Sequence, residues 1–167
     1  MKRSTTKNIV FSSIMAALVC VATYIIKIPF SSQGYFNIGD CVVLLCGWLL
    51  SPSYAFLSAG IGSFLADIFS GYIVYAIPTL IIKGLMAVSA HYIYKVLYRR
   101  LNTIISRIIS GIVAEIVMIS GYFIFEIFMY GLFPALLNIG GSVFQGIFGL
   151  ILGVILINIF NRNKFFR

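Results

Sequence analysis

The distribution of apolar residues along the chain constrains its fold more than any other feature. Six stretches of low polarity follow one another, separated by short polar or proline-containing segments. A helix needs about 20 apolar residues to cross a bilayer, and fewer where neighbouring helices cover it. In lipid every backbone N–H and C=O must be paired within the protein, so such stretches fold as helices. We predict spans at about Asn8–Ile26, Ile38–Leu50, Pro52–Ser70, Ala76–Tyr98, Thr103–Met129 and Leu137–Phe160, of which the second and third are short.

The composition excludes a water-soluble domain. Hydrophobic residues make up 61% of the 167 residues and charged residues 10%, with a mean hydropathy of +1.07. Soluble domains carry about 25% charged residues, and a chain of this length has too much surface for its volume to hide so many apolar side chains. We therefore predict an all-α, polytopic membrane protein, a six-transmembrane-helix bundle in which residues 1–167 form one membrane-embedded domain.

The positions of lysine and arginine orient this bundle. With six spans both termini lie on one side of the membrane, and an odd number of spans would split the basic clusters. That side collects Lys2, Arg3, Lys7, Lys95, Arg99, Arg100, Arg107, Arg162, Lys164 and Arg167. Lys27 is the basic residue on the opposite side. Cytoplasmic loops are the ones rich in Lys and Arg, so we place both termini in the cytoplasm.

The segment "GYFNIGD" (34–40) is the first external loop and leads into the second span. Its glycines let the chain turn, and Tyr35 and Phe36 are suited to close over a flat ligand. Asn37 offers a hydrogen bond. Asp40 falls in the first turn of a helix, where the helix dipole favours a carboxylate; a role for Asp40 as a gate or ligand group is the alternative.

Charges within the predicted spans need partners, because a charge in mid-membrane costs about 2.5–3.5 kcal/mol on insertion scales. Asp67 lies about one turn from the outer end of the third span, and Lys83 about two turns into the fourth. An ion pair between them is geometrically reasonable. Such a pair either only allows two charges to survive in the bundle or also binds a polar solute.

The fifth span carries a polar stripe. Tyr122 and Glu126 follow Glu115 at offsets of seven and eleven residues, which puts all three on one helix face. This face is expected to line the bundle interior. Glu126 is close enough to the interface to be merely solvated. Glu115 is deeper and needs a partner, which is either a ligand or a basic group of another subunit.

The sixth span completes a candidate binding site. Asn138 and Gln145 lie seven residues apart and face the outer half of the interior; Gln145 either cross-links helices or contacts a ligand. Small-molecule sites combine apolar and aromatic walls with a few polar groups for orientation. The candidate substrate-binding residues are Tyr35, Phe36, Asn37, Asp67, Tyr75, Lys83, Tyr122, Glu126, Asn138 and Gln145.

The first span carries a ridge of small residues, which are Ser12, Ser13, Ala16, Ala17 and Cys20. Small residues at a spacing of four allow helices to approach closely in lipid. The ridge serves either packing within the bundle or docking of another membrane protein.

Several kinds of chemistry have no sequence signal. There is no G-x-x-x-x-G-K-[ST] loop for ATP hydrolysis, no cluster with metal-ligand spacing and no Ser-His-Asp arrangement. The cysteines Cys20, Cys41 and Cys46 fit small apolar helix positions, and the lone His91 fits an interfacial one. We expect a binding subunit that is not an enzyme and that uses no metal, no cofactor and no nucleic acid.

Three segments resemble a known family: "YFNIGD" (35–40), "GIGSFLADIFSGY" (60–72) and "PTLIIKG" (78–84). They look like the substrate-binding S components of energy-coupling factor (ECF) vitamin transporters, in the riboflavin-type branch that includes pyridoxine- and hydroxymethylpyrimidine-linked subunits. The resemblance extends over the whole chain, including the six-span layout.

This resemblance implies an ECF-type ABC importer of a prokaryotic plasma membrane. Its S component would capture a vitamin at the outer face, beneath the first external loop, and deliver it inward with a transmembrane coupling subunit and two ATPases. The family's Ala-xxx-Ala docking pattern on the first helix has its nearest match here in the small-residue ridge, which keeps the spacing as small-xxx-small and would meet the coupling subunit.

The polar groups favour pyridoxine or hydroxymethylpyrimidine as the ligand, because Lys83, Glu126 and the amides suit a small hydroxylated heteroaromatic ring. Riboflavin is the nearest alternative. Two other classes remain as rivals: a small membrane enzyme that uses Glu115 and Glu126 as acid and base, and a membrane scaffold that binds no small ligand.

Overall fold

Six helices and one short hairpin follow one another along the described chain. The computed structural model describes the backbone of residues 2–31 and 34–162, and side chains within residues 5–26 and 37–160. In chain order the elements are α1 (Lys2–Ile25), β1 (Lys27–Ser31), β2 (Gly34–Asn37), α2 (Gly39–Leu49), α3 (Pro52–Phe69), α4 (Ile73–Leu97), α5 (Thr103–Tyr130) and α6 (Leu132–Arg162). The predicted six-helix bundle is confirmed.

The helices differ in how much of a membrane they can cross. Within the described residues, four are long and apolar enough to span it: Thr5–Ile25 of α1, and α4, α5 and α6. At 1.5 Å per residue, the 18 residues of α3 extend about 27 Å and the 11 residues of α2 about 16 Å. The second helix therefore covers about half of a hydrocarbon core roughly 30 Å thick.

Strands β1 and β2 form an antiparallel hairpin between α1 and α2. The paired residues are Lys27 with Asn37, Ile28 with Phe36, and Pro29 with Tyr35. Strand β2 packs against α6 and α1, so the hairpin reaches into the bundle. The sequence predicts only a loop here, because Pro29 and Gly34 each weaken a strand pattern.

Two helices begin earlier than predicted. α4 starts at Ile73 rather than Ala76, so Pro78 lies in its second turn. α6 starts at Leu132 rather than Leu137 and has Pro134 in its first turn. Proline is accepted in the first turn, as at Pro134, because the first four N–H groups have no intrahelical partner. Pro78 lies inside α4 and lacks the N–H that would donate to the preceding turn. The hydropathy pattern does not reveal such a start, and for this reason the predicted helices begin later than the observed ones.

The second helix is the centre of the bundle. Its residues are almost all buried, and it packs against α1, α3, α4 and α6. Long apolar side chains lie on the outside, as for Phe128 and Phe133, whereas Ala59, Ala87 and Ala114 are fully buried. This distribution fits a lipid environment, in which helices associate through small residues rather than by burying large apolar ones.

Helices α1 and α3 approach each other closely. The Ser58 hydroxyl donates to the backbone carbonyl of Ser12 over 2.9 Å. A methyl group on Gly62 would overlap the carbonyl oxygen of Ala16 and lie 2.8 Å from Cβ of Val19. The absence of a side chain at Gly62 is therefore what permits this contact.

The contact with α3 divides the small-residue ridge of α1 in two. Ser12 is buried and Ala16 partly buried against α3, so these two residues serve packing within the bundle. Ser13 and Ala17 are exposed on the other side of the helix, and Cys20 is partly exposed. Ser13 and Ala17 are therefore the residues of the ridge that are most accessible to another membrane protein.

Replacing Gly62 with alanine is expected to lower the thermal unfolding midpoint in detergent, because the new methyl group forces α1 and α3 apart; overpacking costs about 1–3 kcal/mol. Gly140→Ala is the matched control, since a methyl group there meets nothing within 4 Å. Its midpoint should stay or rise, as alanine favours helix. Equal midpoints for the two variants would contradict the close approach of α1 and α3.

Candidate ligand-binding site

An ion pair lies in the middle of the bundle. Lys83 of α4 binds the Oδ1 atom of Asp40, which lies in the first turn of α2, and both side chains are almost completely buried. Asp40 thus takes the place that the sequence analysis gave to Asp67 as the partner of Lys83. Asp67 is buried near the outer end of α3. Asp40 rather than Asp67 pairs with Lys83 because α2 starts deep in the bundle, at the level of Lys83.

The side chain of Gln145 connects this ion pair to the hairpin. Its Nε2 atom donates to Oδ2 of Asp40 over 2.7 Å. Its Oε1 atom accepts from both the backbone N–H and the side-chain amide of Asn37, each over 3.2 Å. Gln145 therefore joins β2, α2 and α6, and the predicted helix cross-link by this residue is present.

Local backbone chemistry explains why Asn37 and Asp40 meet there. Oδ1 of Asn37 accepts a hydrogen bond from the backbone N–H of Gly39 over 2.9 Å and so satisfies an unpaired donor at the start of α2. A methyl group on Gly39 would overlap Oγ1 of Thr23 on α1. The glycine lets the chain turn tightly against α1 and places Asp40 in the first turn, where the helix dipole stabilises its negative charge.

A second carboxylate, Glu115 of α5, lies beside the ion pair. It is 5% exposed, and neither of its oxygens has a hydrogen-bond partner in the described part of the chain. A methyl group on Gly146 would lie 3.1 Å from Oε2 of Glu115, and one on Gly149 would lie 2.6 Å from Cβ of Asp40 and 3.2 Å from Oε1 of Glu115. The two carboxylates thus flank one glycine-lined face of α6.

Aromatic and hydroxyl groups close the outer side of this centre. The Tyr122 hydroxyl donates to Oγ1 of Thr79 over 3.1 Å. The ammonium group of Lys83 lies 5.5 Å from the centroid of the Tyr122 ring, within the range of a cation–π interaction. Thr79 was not among the predicted site residues; it lies four residues before Lys83, and this helical spacing is the signal that would have found it. We call Asp40, Lys83, Gln145, Glu115 and Tyr122 the polar centre.

A second polar cluster lies nearer the outer surface. The Tyr75 hydroxyl donates to Oε1 of Glu126 over 3.4 Å, and the Asn138 amide also interacts with this carboxyl group. The Tyr75 ring packs edge-on to Phe125 and stacks with Tyr130, at centroid distances of 5.2 and 6.4 Å. Glu126 is buried rather than solvated.

The two clusters lie at different depths. Glu115 and Glu126 are eleven residues apart on α5, which corresponds to about 16 Å along the helix. The predicted site residues are therefore spread over this depth, with Glu115 at the bottom of the polar centre, Tyr122 at its top and the Glu126 cluster one turn above Tyr122. The side chains of Tyr35 and Phe36 lie outside the described residues; their backbone forms part of β2.

The inner half of the bundle also contains buried polar side chains. Arg107 is buried rather than in the cytoplasmic connection; its guanidinium donates to Oδ1 of Asn158 over 3.4 Å and lies 5.6 Å from the centroid of the Tyr94 ring. His91 is partly buried, with Nδ1 3.2 Å from the carbonyl oxygen of Gly47. The start of α5 at Thr103 is as predicted; Arg107 is buried because it lies in the second turn, on the face that packs against Tyr94 of α4 and Asn158 of α6.

A bundle of six helices with apolar side chains toward lipid and a charged centre at mid-depth defines a polytopic membrane protein with a buried polar site. Among known families, the chain matches the model described as "ECF-type riboflavin transporter, S component" over residues 3–162. The chain belongs to this family of vitamin-transporter S components, and the resemblance noted from its sequence is confirmed. S components work with a membrane coupling subunit and ATPases.

Two further comparisons agree with this assignment. An "uncharacterized protein in gap 3'region" of Pyrococcus woesei is 34% identical over 137 residues, which cover 81% of this chain and 88% of the relative. A solved structure described as the S component of a bacterial ECF transporter superposes with a TM-score of 0.77 over 98% of this chain and 99% of the other, at 24% identity. At that identity the superposition shows a shared fold.

The ion pair predicts a specific pattern of coupled stabilities. Asp40→Asn and Lys83→Met should each destabilise the protein by about 3–5 kcal/mol, because each leaves one charge buried without its partner. The double variant should lose less than the sum of the two. Asp67→Asn is the matched control and should add to Lys83→Met without coupling. Unfolding in mixed micelles, followed by circular dichroism, measures these energies; coupling of Lys83 to Asp67 rather than to Asp40 would contradict the pairing.

Proposed function

We propose that this S component captures a flat, hydroxylated heteroaromatic vitamin at the outer face and delivers it inward together with a transmembrane coupling subunit and two ATPases. One observation carries the proposal: a charged polar centre is buried at mid-depth in a bundle whose sequence has no ATP-binding loop. Intramembrane charges are costly and mark solute pathways or binding sites. The membrane in question would be the plasma membrane of a prokaryote.

Riboflavin is the first vitamin to test, because the description of the matched family names it. Its flat ring suits the aromatic groups around Tyr75, and its polyhydroxylated chain suits the polar centre. Pyridoxine and hydroxymethylpyrimidine are the second candidates, supported by the charges of the site. A small ring with an ionisable nitrogen or phenol is complementary to the charges of Lys83 and Glu115, whereas riboflavin is uncharged.

The hairpin is proposed as the lid of the site. Its last residue, Asn37, hydrogen-bonds Gln145 of the polar centre, so opening the hairpin breaks contacts at the bottom of the site. Tyr35 and Phe36 precede Asn37 on β2. In this proposal their rings cover the ligand from outside.

The coupling subunit is proposed to dock on the exposed side of the α1 ridge. Ser13 and Ala17 are exposed and Cys20 partly so, in a helix face that otherwise carries larger apolar side chains such as Leu18 and Val21. Small residues at this spacing create a shallow groove for a partner helix. Ser12 and Ala16 contribute less to docking because they pack against α3.

The two rival classes make different predictions. A membrane enzyme with Glu115 and Glu126 as acid and base needs both groups at one substrate, but they lie about 16 Å apart along α5. An enzyme would also return an altered ligand, whereas a binding subunit returns it unchanged. A scaffold would bind no vitamin.

The direct test is thermal unfolding of the purified protein in detergent against riboflavin, pyridoxine, hydroxymethylpyrimidine and thiamine. A ligand at about 100 times its dissociation constant stabilises the folded state by about 2.7 kcal/mol. We expect a clear upward shift with riboflavin, pyridoxine or hydroxymethylpyrimidine and none with thiamine. A folded protein that none of the four stabilises would overturn the proposed ligand class.

Docking on α1 predicts a loss of complex without a loss of ligand. When the chain is coexpressed with its coupling subunit and ATPases, Ala17→Trp should abolish their copurification, because the large ring fills the groove. Ile116→Trp is the matched control, since Ile116 is 55% exposed to lipid on α5. Both variants should keep the vitamin-induced thermal shift; copurification of the Ala17 variant at the wild-type level would refute docking there.

A further inference from the structure

The polar centre contains a donor and an acceptor that the described residues leave incompletely satisfied. A lysine ammonium group has three N–H donors, and the hydrogen bond of Lys83 within the described chain is to Asp40. Its further contact is with the face of the Tyr122 ring. Lys83 therefore retains the capacity to donate to an additional oxygen atom.

Whereas Lys83 lacks further acceptors within the described residues, Glu115 lacks hydrogen-bond donors. Both of its oxygens are buried and without a hydrogen-bond partner in the described part of the chain. It lies within electrostatic range of both Asp40 and Lys83. Buried polar groups that lack partners cost about 1–3 kcal/mol, more when charged, so a carboxyl group kept at this place points to a ligand that supplies the missing donor.

The charges around this position restrict the chemistry of that ligand group. A cationic group would approach Glu115 but be repelled by the neighbouring ammonium of Lys83. An anionic group would accept from Lys83 but be repelled by Asp40 and Glu115. A carbonyl oxygen satisfies Lys83 and leaves Glu115 without a donor. A neutral hydroxyl group both accepts and donates, so it meets both requirements at once.

We propose that a hydroxyl group of the substrate binds between Lys83 and Glu115, accepting a hydrogen bond from Nζ of Lys83 and donating one to the Glu115 carboxylate. This inference rests on the proposed function and names the substrate group that the site recognises. Glu115, which the candidate binding residues did not include, is then a specificity-determining residue.

The position of Glu115 fits this role. It lies against Gly146 and Gly149 of α6, which follow Gln145 by one residue and by about one turn, and Gln145 in turn holds Asn37 of the hairpin. A hydroxyl group bound here sits at the bottom of the site, beneath the end of β2. The flat ring of the same substrate then extends outward, toward the aromatic cluster of Tyr75, Phe125 and Tyr130.

Each candidate vitamin carries a hydroxyl group that could bind between Lys83 and Glu115. Three pairs of compounds test which vitamin binds in this way. The pairs are riboflavin with lumiflavin, pyridoxine with 4-deoxypyridoxine, and hydroxymethylpyrimidine with 4-amino-2,5-dimethylpyrimidine. In each pair the second compound keeps the ring. Lumiflavin lacks the whole hydroxylated side chain, 4-deoxypyridoxine lacks only the hydroxyl group at position 4, and the dimethylpyrimidine lacks the hydroxyl group of the hydroxymethyl substituent. Calorimetry on the detergent-solubilised wild-type protein should show that one hydroxylated compound binds at least about tenfold more tightly than its partner, as expected for a hydrogen bond to a charged group.

Glu115→Gln tests whether this preference comes from the proposed contact. The preference for the hydroxylated compound should shrink by about tenfold in this variant. Ser63→Ala is the control: it also removes a buried oxygen without a described partner, but on α3, and it should keep the wild-type preference. Glu115→Asp, which withdraws the carboxylate by one methylene group, replaces Glu115→Gln if the latter does not fold.

The outcomes separate the inference from the proposed function. If none of the six compounds binds the wild-type protein, both fall. If a vitamin binds and its partner binds equally well, the function stands and a contact by the hydroxyl group removed in that pair is overturned. If the wild-type protein prefers the hydroxylated compound and the Glu115 variants show the same preference, other residues bind the hydroxyl group and Glu115 does not determine the specificity.

Discussion

A charge buried in lipid must be paired within the protein, and the organisation of this bundle depends on how that requirement is met. Lys83 lies near the middle of α4, so its partner must come from the same depth. Asp40 reaches it only because α2 is half the length of a span and begins inside the bundle. That start in turn draws β1 and β2 inward, so the external connection becomes part of the interior.

In the proposed function, the same arrangement provides a binding site that has the polar centre at its bottom and the hairpin as its cover. Asn37, Gln145, Asp40 and Lys83 form a continuous chain of hydrogen bonds and charge from the hairpin to the fourth helix. A ligand that disturbs one link alters the others, which connects occupation of the site to the position of the hairpin. Glu115 adds an acceptor beside this chain without being part of it.

The fold was largely predictable from the sequence, because hydropathy and the positions of basic residues report directly on the membrane. The one-sided helix faces were predictable too: Glu115, Tyr122 and Glu126 do share the interior of the bundle. The partner of Lys83 was not predictable, because the sequence does not reveal how deep in the membrane α2 begins. The hairpin escaped prediction because Pro29 and Gly34 mask its alternation, and buried Arg107 looked like an ordinary cytoplasmic charge.

In the proposed function, the substrate of this S component binds on the polar centre at mid-depth, beneath the hairpin. A structure of the protein crystallised with the vitamin that stabilises it tests this most directly. We expect a ligand enclosed below β2, with an oxygen atom within hydrogen-bonding distance of Lys83 and Glu115. A ligand bound outside the hairpin, with the contacts of Asp40, Lys83 and Gln145 unchanged and Glu115 still without a donor, would contradict it.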